Sequence, residues 1–258
     1  DIPYLIRKFL FQHFFIFIQI INETTEFNGN VAVVQPLAFG RVKELEKQDG
    51  LYTLLLEGME NNKVIHHKRI IDVLSDFINP YEDHDAYLSY AESKDLKIVI
   101  SNTTEAGISY DPTDLDDTKV SPTYPGKLLT FLKKRYDYFQ GSLDTGLYIV
   151  PCELIDHNGD TLKEYLIKLS KERKYEETFI NWLLNANHFY NTLVDRIVPG
   201  YPKDQIQKIE KENGYVDNNV VKGEIFHLWV MEGDASIKEV FPFHKTDLNI
   251  ILTDNVKP

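Results

Sequence analysis

Polar side chains follow an apolar run in KIVISNTTEAGISY, residues 97–110. Asn102, Thr103 and Thr104 each offer hydrogen-bonding groups, and Glu105 adds a carboxylate. Such groups can orient a ligand and transfer a proton, as general acid–base catalysis requires. The same amide and hydroxyl side chains also satisfy turns locally, and for the first three residues this interpretation is slightly favoured. Glu105 is open between a ligand-facing carboxylate and a helix-cap partner.

A second polar group follows another apolar run in PCELIDHNGD, residues 151–160. Asp156, Asn158 and Asp160 stand where this segment leads into a predicted helix. His157 and Asn158 are candidate site residues, although HNGD is also typical of a solvated tight turn. The turn is the favoured interpretation for this second group.

Short apolar runs alternate with stretches of helical periodicity along the chain. The predicted strands are 31–37, 51–58, 97–101 and 147–154, and the predicted helices are 9–24, 66–78, 84–93, 125–139, 160–172, 175–191 and 203–213. Strands separated by helices predict a doubly wound α/β fold with a mainly parallel sheet and helices on both faces. Ligands of such sheets bind outside the carboxyl ends of the strands, so both polar groups are expected to face one crevice.

Composition limits the class of partner. The chain has 258 residues, 43% of them hydrophobic, and a formal net charge of -12. A folded domain with a substantial core is expected, and nucleic acid is not, because binding phosphates depends on Lys and Arg. The apolar run 9–21 is shorter than the roughly 20 apolar residues of a membrane span. We therefore expect a buried helix there and no membrane partner.

Several familiar sites are missing from the sequence. The eight histidines show no metal-ligand spacing, so no metal is expected. There is no nucleophile elbow, and the first glycine is Gly29, too late for a phosphate-binding loop after a first strand. The single cysteine, Cys152, fits a reducing cytoplasm and is expected to be inert. Asp195 and Arg196 stand between apolar residues, which predicts a partly buried ion pair.

Five segments taken together resemble the mannitol dehydrogenase family of long-chain polyol dehydrogenases. In chain order they are NETTEFNGNVAVVQPL (22–37), QDGLYT (48–53), SNTTEAGISY (101–110), PCELIDHNGD (151–160) and TLVDRIVPGYP (192–202). The resemblance is collinear over nearly the whole chain and is greatest to the branch that acts on sugar acids.

The resemblance implies an oxidoreductase that transfers a hydride between NAD(H) and a small sugar acid without a metal, in the cytoplasm. It implies that residues 1–258 form a Rossmann-type NAD-binding domain, and that a helical catalytic domain carrying the family's K-x5-N-x2-H motif would begin after residue 258. No such motif occurs in this sequence, so this chain alone is expected to be inactive. The family's G-x-G-N-F-L-R phosphate loop should fall around Lys8 to Leu10, where only Phe9 and Leu10 align with it and Phe11 replaces the arginine. On this alignment Ile6, Phe9 and Leu10 are expected beside the cofactor.

The same resemblance assigns roles to strand-end residues. Four residues match a motif beside the nicotinamide, with the carboxylate lining the proton route: Asn102, Thr103, Thr104 and Glu105. Leu154 stands where the mannitol dehydrogenase branch has an oxyanion-site asparagine, which leaves Asn158 as the available amide. Asp195 matches an aspartate near the substrate, and Arg196 would pair with it or steer a carboxylate. Gln35 lies where the family often has an acidic residue near the adenosine ribose, so the choice between NAD and NADP is open.

Two alternatives stay open from the sequence. Another branch of the family, acting on a different sugar acid or on a polyol, would carry similar motifs. A non-catalytic α/β binding module that lacks the phosphate loop and the catalytic lysine is the alternative from another class. The sequence leaves the oligomeric state undetermined.

Overall fold

A computed structural model describes residues 14–254 except 36, 39, 61–62 and 104–106. The helices are α1 Phe15–Thr24, α2 Val42–Glu46, α3 His84–Ser89, α4 Tyr124–Tyr138, α5 Asn158–Glu172, α6 Glu177–Ala186, α7 Ile206–Asn213 and α8 Ile237–Val240. Short 3-10 helices cover Tyr90–Glu92, Pro112–Leu115, Leu143–Thr145 and Phe243–Lys245. The strands are β1 Val31–Val34, β2 Tyr52–Glu60, β3 Lys63–Ile71, β4 Leu74–Ile78, β5 Ile98–Ser101, β6 Tyr148–Pro151, β7 His188–Phe189, β8 Asn191–Asp195, β9 Val221–Glu224, β10 Leu228–Glu232 and β11 Ile250–Thr253.

The parallel strands form two groups. Strand β1 pairs with β4, and β5, β6 and β7 pair in that order, all in parallel. Two further three-stranded sheets have the orders β3-β2-β9 and β11-β10-β8. The crossover between β1 and β4 therefore contains α2 and an antiparallel hairpin of β2 and β3.

Side chains of the parallel strands alternate between two hydrophobic cores. In β5, Ile98 and Ile100 pack against a first core that contains α1, while Val99 packs against a second core formed by α4, α5 and α6. In β6, Val150 belongs to the first core and Ile149 to the second. Because neighbouring residues of a strand point to opposite faces, these strands lie between two apolar layers. The predicted doubly wound α/β fold is confirmed.

Local sequence explains the main helices on the second face. Helix α4 begins after Thr123, whose hydroxyl accepts a hydrogen bond from the main-chain nitrogen of Gly126 at 3.1 Å. Leu162, Leu166 and Leu169 of α5 recur at helical spacing and are fully buried in the second core. Burying one such leucine contributes about 1.5–3 kcal/mol.

On the first face, the aromatic residues at the start of α1 pack around a tryptophan. The Phe14 and Phe17 rings lie 5.0 and 6.0 Å from the ring of Trp229 in β10. Helix α1 thus lies against the sheet β11-β10-β8, as expected for the most apolar run of the chain. None of the helices in the described ranges has the length and apolar character needed to cross a membrane.

One predicted helix is wrong, and a second was predicted too long. The segment 66–78 forms most of β3 and all of β4, and the helix predicted over 175–191 ends at Ala186, before β7. In 66–78, apolar residues at 70, 71, 73, 74 and 78 imitate helical spacing, but they belong to two strands separated by a short break. Helical periodicity in a stretch this short does not distinguish one helix from two consecutive strands.

Candidate functional site

The carboxyl ends of β5 and β6 bring the two polar sequence groups together. Ser101 at the end of β5 pairs in register with Pro151 at the end of β6. The segments that follow these residues therefore start side by side, as the sequence predicted. Several predicted site residues lie outside the described part of the chain, namely Ile6, Phe9, Leu10, Thr104 and Glu105.

A buried carboxylate joins the two strand ends. Glu153 is 2% exposed. Its carboxylate accepts hydrogen bonds from the Ser101 hydroxyl at 3.1 Å, from the Thr103 main-chain nitrogen at 2.9 Å and from the Thr103 hydroxyl at 2.7 Å. A buried carboxylate is costly unless it is paired or well hydrogen-bonded, and these donors supply that compensation.

Sequence reasoning missed Glu153. The available signal was a single carboxylate directly after an apolar strand, at the point where two polar strand ends were expected to meet.

The pKa values of two neighbouring side chains, Cys152 and Tyr124, are raised at this position. Burial raises the pKa of the Cys152 thiol well above its usual value, and the charge of Glu153 adds to this effect. Burial likewise raises the pKa of the Tyr124 phenol, with a smaller contribution from Glu153. Both groups are neutral at physiological pH, which supports the prediction that Cys152 is not a nucleophile.

Asn158, at the start of α5, is fully buried and connects three segments. Its side-chain nitrogen donates to the carbonyl oxygens of Glu153 at 3.0 Å and Thr192 at 3.1 Å. Its side-chain oxygen accepts from the Thr192 nitrogen at 2.9 Å. The amide therefore fixes the loop after β6 to the beginning of β8. The assignment of Asn158 to the oxyanion site stays a prediction.

The turn into α5 is tight, as the sequence HNGD indicated. His157 adopts a left-handed conformation with φ of 49°. A Cβ atom at Gly159 would overlap the carbonyl oxygen of Tyr190, so only glycine fits this position without movement of the backbone. The close approach of α5 to the chain between β7 and β8 depends on this glycine.

Asp195 and Arg196 do not form the predicted ion pair among the described residues. Asp195, at the end of β8, is exposed, whereas Arg196 is 7% exposed and donates from Nε to the Glu224 carbonyl oxygen at 3.0 Å. Adjacent residues of an extended chain point to opposite sides, which separates the two charges. Burial lowers the pKa of Arg196 to about 10. Arg196 is therefore poorly placed to steer a ligand carboxylate, whereas Asp195 is open to one face of its sheet.

Gln35 closes the loop after β1. It is 6% exposed, and its side-chain nitrogen donates to the Leu37 carbonyl oxygen at 2.8 Å. Its side-chain oxygen accepts from the Val42 nitrogen at 3.4 Å. These contacts occupy both ends of the amide within its own loop, and a contact with the ribose stays a prediction.

Two side chains at the crevice are accessible. Asn102 is half-buried, and its side chain has no hydrogen-bonding partner among the residues that the structure describes. Leu154 is 66% exposed at the end of the neighbouring strand segment. Within the same described ranges, no group of three or more His, Cys, Asp or Glu side chains is placed to hold a metal ion.

Comparison with known proteins agrees with this geometry. The chain belongs to the mannitol dehydrogenase family, because residues 12–242 match the family model described as the mannitol dehydrogenase Rossmann domain.

Among curated relatives, altronate oxidoreductase of Bacillus subtilis (strain 168) is 43% identical over 92% of this chain and 50% of its own length. Altronate oxidoreductase of Escherichia coli O6:K15:H31 is 41% identical over 93% of this chain and 50% of its own length. The chain thus spans about half the length of these relatives.

Solved structures share the fold. Mannitol 2-dehydrogenase of Pseudomonas fluorescens, in a ternary complex with NAD and D-mannitol, has a TM-score of 0.76 at 20% identity over 93% of this chain and 50% of its own. A D-sorbitol dehydrogenase in substrate-free form has a TM-score of 0.75 at 23% identity over 96% of this chain and 52% of its own.

Proposed function

We propose that the full-length protein is a cytoplasmic, NAD-dependent oxidoreductase that converts D-tagaturonate, NADH and a proton to D-altronate and NAD⁺. The observation that carries the proposal is the meeting of the β5 and β6 carboxyl ends, where Ser101 and Pro151, the first residues of SNTTEAGISY and PCELIDHNGD, pair in register. Relatives named altronate oxidoreductase at 41% and 43% identity support the choice of substrate.

The described residues fit a dinucleotide cofactor. Doubly wound sheets bind dinucleotides at the carboxyl ends of their strands, one nucleotide to each half of the sheet. Here Gln35 follows β1 of the β1–β4 pair, and Asn102 and Thr103 follow β5 of the group β5, β6 and β7. The accessible amide of Asn102, with no described partner, is the kind of group that a bound ligand would satisfy. NAD(H) supplies the hydride when it is bound, and the protein supplies orientation and a proton.

The roles of this chain follow from position. Asn102, Thr103 and Thr104 would contact the nicotinamide side of the cofactor, and Glu105 would line the proton route. Asp195, exposed at the end of β8, would lie near the substrate. Asn158 would support the substrate loop, because its amide joins the segment after β6 to β8.

We further propose that residues 1–258 form the NAD-binding domain and that a helical catalytic domain follows. One sheet face supports this division. Leu193, Val230 and Ile251 are aligned across β8, β10 and β11, and the first and last are 37% and 45% exposed. The opposite face of the same sheet, with Trp229 and Met231, is buried in the first core. An apolar sheet face of this kind, which also carries Asp195, suits a second domain that closes over the substrate.

The test is NADH oxidation by the full-length protein with D-tagaturonate, D-fructuronate and D-fructose as substrates. We expect the highest kcat/KM with D-tagaturonate. Preference for D-fructuronate or D-fructose would instead identify a fructuronate reductase or a mannitol dehydrogenase of the same family. Binding of NADH without turnover of any of these substrates would favour the non-catalytic binding module.

A further inference from the structure

Glu153 does more than the β5–β6 pairing requires. The backbone ladder already continues past the strands, since the Cys152 nitrogen donates to the Ser101 carbonyl oxygen at 2.7 Å. A buried apolar side chain would complete this packing without the cost of a desolvated carboxylate. The carboxylate instead accepts hydrogen bonds from Ser101 and Thr103, the two residues that flank Asn102.

This arrangement holds both neighbours of Asn102. Ser101 and Thr103 donate to the same carboxylate, while the Asn102 amide has no partner among the described residues. The path of the chain through Asn102 therefore depends on a residue 51 positions later in the chain.

We propose that Glu153 is a positioning residue that holds the Asn102–Thr103 segment in place for the nicotinamide half of the cofactor. This inference rests on the proposed NAD(H)-binding function. Glu153 follows β6, in the group of parallel strands β5, β6 and β7, whereas Gln35 follows β1, which pairs with β4 in a separate sheet. Loss of its hydrogen bonds should disturb one half of the dinucleotide site and leave the adenosine half intact.

The experiment compares two substitutions in the full-length protein, Glu153→Leu and Glu153→Gln. Leucine fills the site but accepts no hydrogen bond. Glutamine keeps an oxygen for both Thr103 donors, and its nitrogen can donate to the Ser101 hydroxyl, so it should preserve the geometry. Dissociation constants for NADH and for ADP-ribose are measured by calorimetry, together with the midpoint of thermal unfolding. Glu164→Leu, an exposed position on α5, is the control.

For Glu153→Leu we expect NADH to bind about tenfold more weakly or worse, with ADP-ribose affinity changed less than about twofold. Glu153→Gln should restore NADH affinity to within about threefold of wild type. A protein that is merely destabilised would lose affinity for both ligands together. Combining Glu153→Leu with Thr103→Val should add little further loss, because both changes remove the same contact.

Unchanged NADH affinity in Glu153→Leu would overturn the proposal, as would parallel losses for NADH and ADP-ribose. Equal losses in the leucine and glutamine variants would also overturn it, because charge and not hydrogen-bond geometry would then be responsible. If the wild-type protein bound no NADH, the proposed function would fail as well. If the wild type bound NADH but reduced no sugar acid, only the substrate assignment would fall.

Discussion

A charged side chain is buried at each end of the β5–β6 pair, but the two side chains form hydrogen bonds with different kinds of partner. At the amino-terminal end of the two strands, Arg135 of α4 is 1% exposed, and burial lowers its pKa to about 10. Among the described residues, its guanidinium donates only to main-chain carbonyl oxygens in the segments that lead into the two strands, those of Ala91, Ser93, Leu96 and Thr145. At the carboxyl-terminal end, two of the three hydrogen bonds that Glu153 accepts from described residues come from hydroxyl side chains.

The difference separates stability from function. Main-chain carbonyls are present whatever the side chains are, so Arg135 fixes the path of the chain and makes no demand on neighbouring residue types. Glu153 requires hydroxyls at Ser101 and Thr103 and so ties the fold to one motif. We therefore expect substitutions at the amino-terminal end of these strands to affect folding, and substitutions at the carboxyl-terminal end to affect ligand binding and turnover.

The largest effect is expected for Arg135→Ala. The change leaves carbonyl groups without partners in a dry environment and should lower the free energy of unfolding by about 3–5 kcal/mol. Urea denaturation measures the loss. Arg69→Ala is the matched control, because Arg69 forms an exposed ion pair with Glu23 at 2.7 Å and should cost below about 1 kcal/mol. A loss at Arg135 no larger than at Arg69 would contradict the comparison.

The second-largest effect is expected for Glu105, which follows β5 in the sequence. If the proposed function holds, Glu105→Gln in the full-length protein should reduce kcat about 100-fold, because it removes a carboxylate from the expected proton route. NADH affinity and the unfolding midpoint should change little. Steady-state kinetics with D-tagaturonate and calorimetry with NADH test this expectation. Unchanged turnover in a folded variant would remove Glu105 from the mechanism.

Asn158→Ala should reduce both stability and turnover. It removes the side-chain hydrogen bonds to Glu153 and Thr192 and should lower the free energy of unfolding by about 2 kcal/mol, with a reduced kcat as the substrate loop loses support. Asn185→Ala is the control, since Asn185 is exposed and donates to the Asn181 carbonyl oxygen within its own helix, α6. A loss of kcat with unchanged stability would favour the oxyanion role for Asn158.

The smallest effect is a pH dependence from Lys127 in the first turn of α4. Burial lowers its pKa to about 8, below the ordinary lysine value, although its ammonium donates to the carbonyl oxygens of Pro122 and Thr123. Between about pH 8 and pH 10.5 the unfolded chain binds more protons than the folded one, so stability should rise with pH in this window.

The rise should be about 1–2 kcal/mol relative to Lys127→Met, which lacks the titrating amine. Urea denaturation of both proteins at pH 7.5, 9 and 10 measures the difference, and Lys171→Met at an exposed position serves as the control. Parallel stability curves for wild type and Lys127→Met would show that this burial has no energetic consequence.

Local sequence predicted much of the fold and the place of the site. The strand ends of β5 and β6 were predicted to converge, because both are short apolar runs followed by polar residues in a parallel arrangement. Strand β3 of the hairpin was missed because Ile70, Ile71 and Val73 also suit a helix. In short amphipathic stretches, local periodicity alone does not decide between these structures.

Contacts between distant residues account for the rest. Glu153 meets Ser101 and Thr103 across about 50 positions, and Asn158 meets Thr192 across 34. No local pattern specifies such pairs, since they arise only when the strands are aligned. The ion pair expected between Asp195 and Arg196 failed for the opposite reason, because adjacency along an extended chain places side chains on opposite sides.

The outer strand of the hairpin has a consequence for behaviour in solution. Strand β3 extends over 9 residues and, within the part of the chain that the structure describes, pairs only with β2. The Ile70 carbonyl oxygen accepts a hydrogen bond from the Gln19 side chain, and the other edge of β3 faces no described strand. Its exposed side chains include Lys63 and Lys68. Two copies that met edge to edge would bring like charges together, and this repulsion opposes the self-association that open strands otherwise promote.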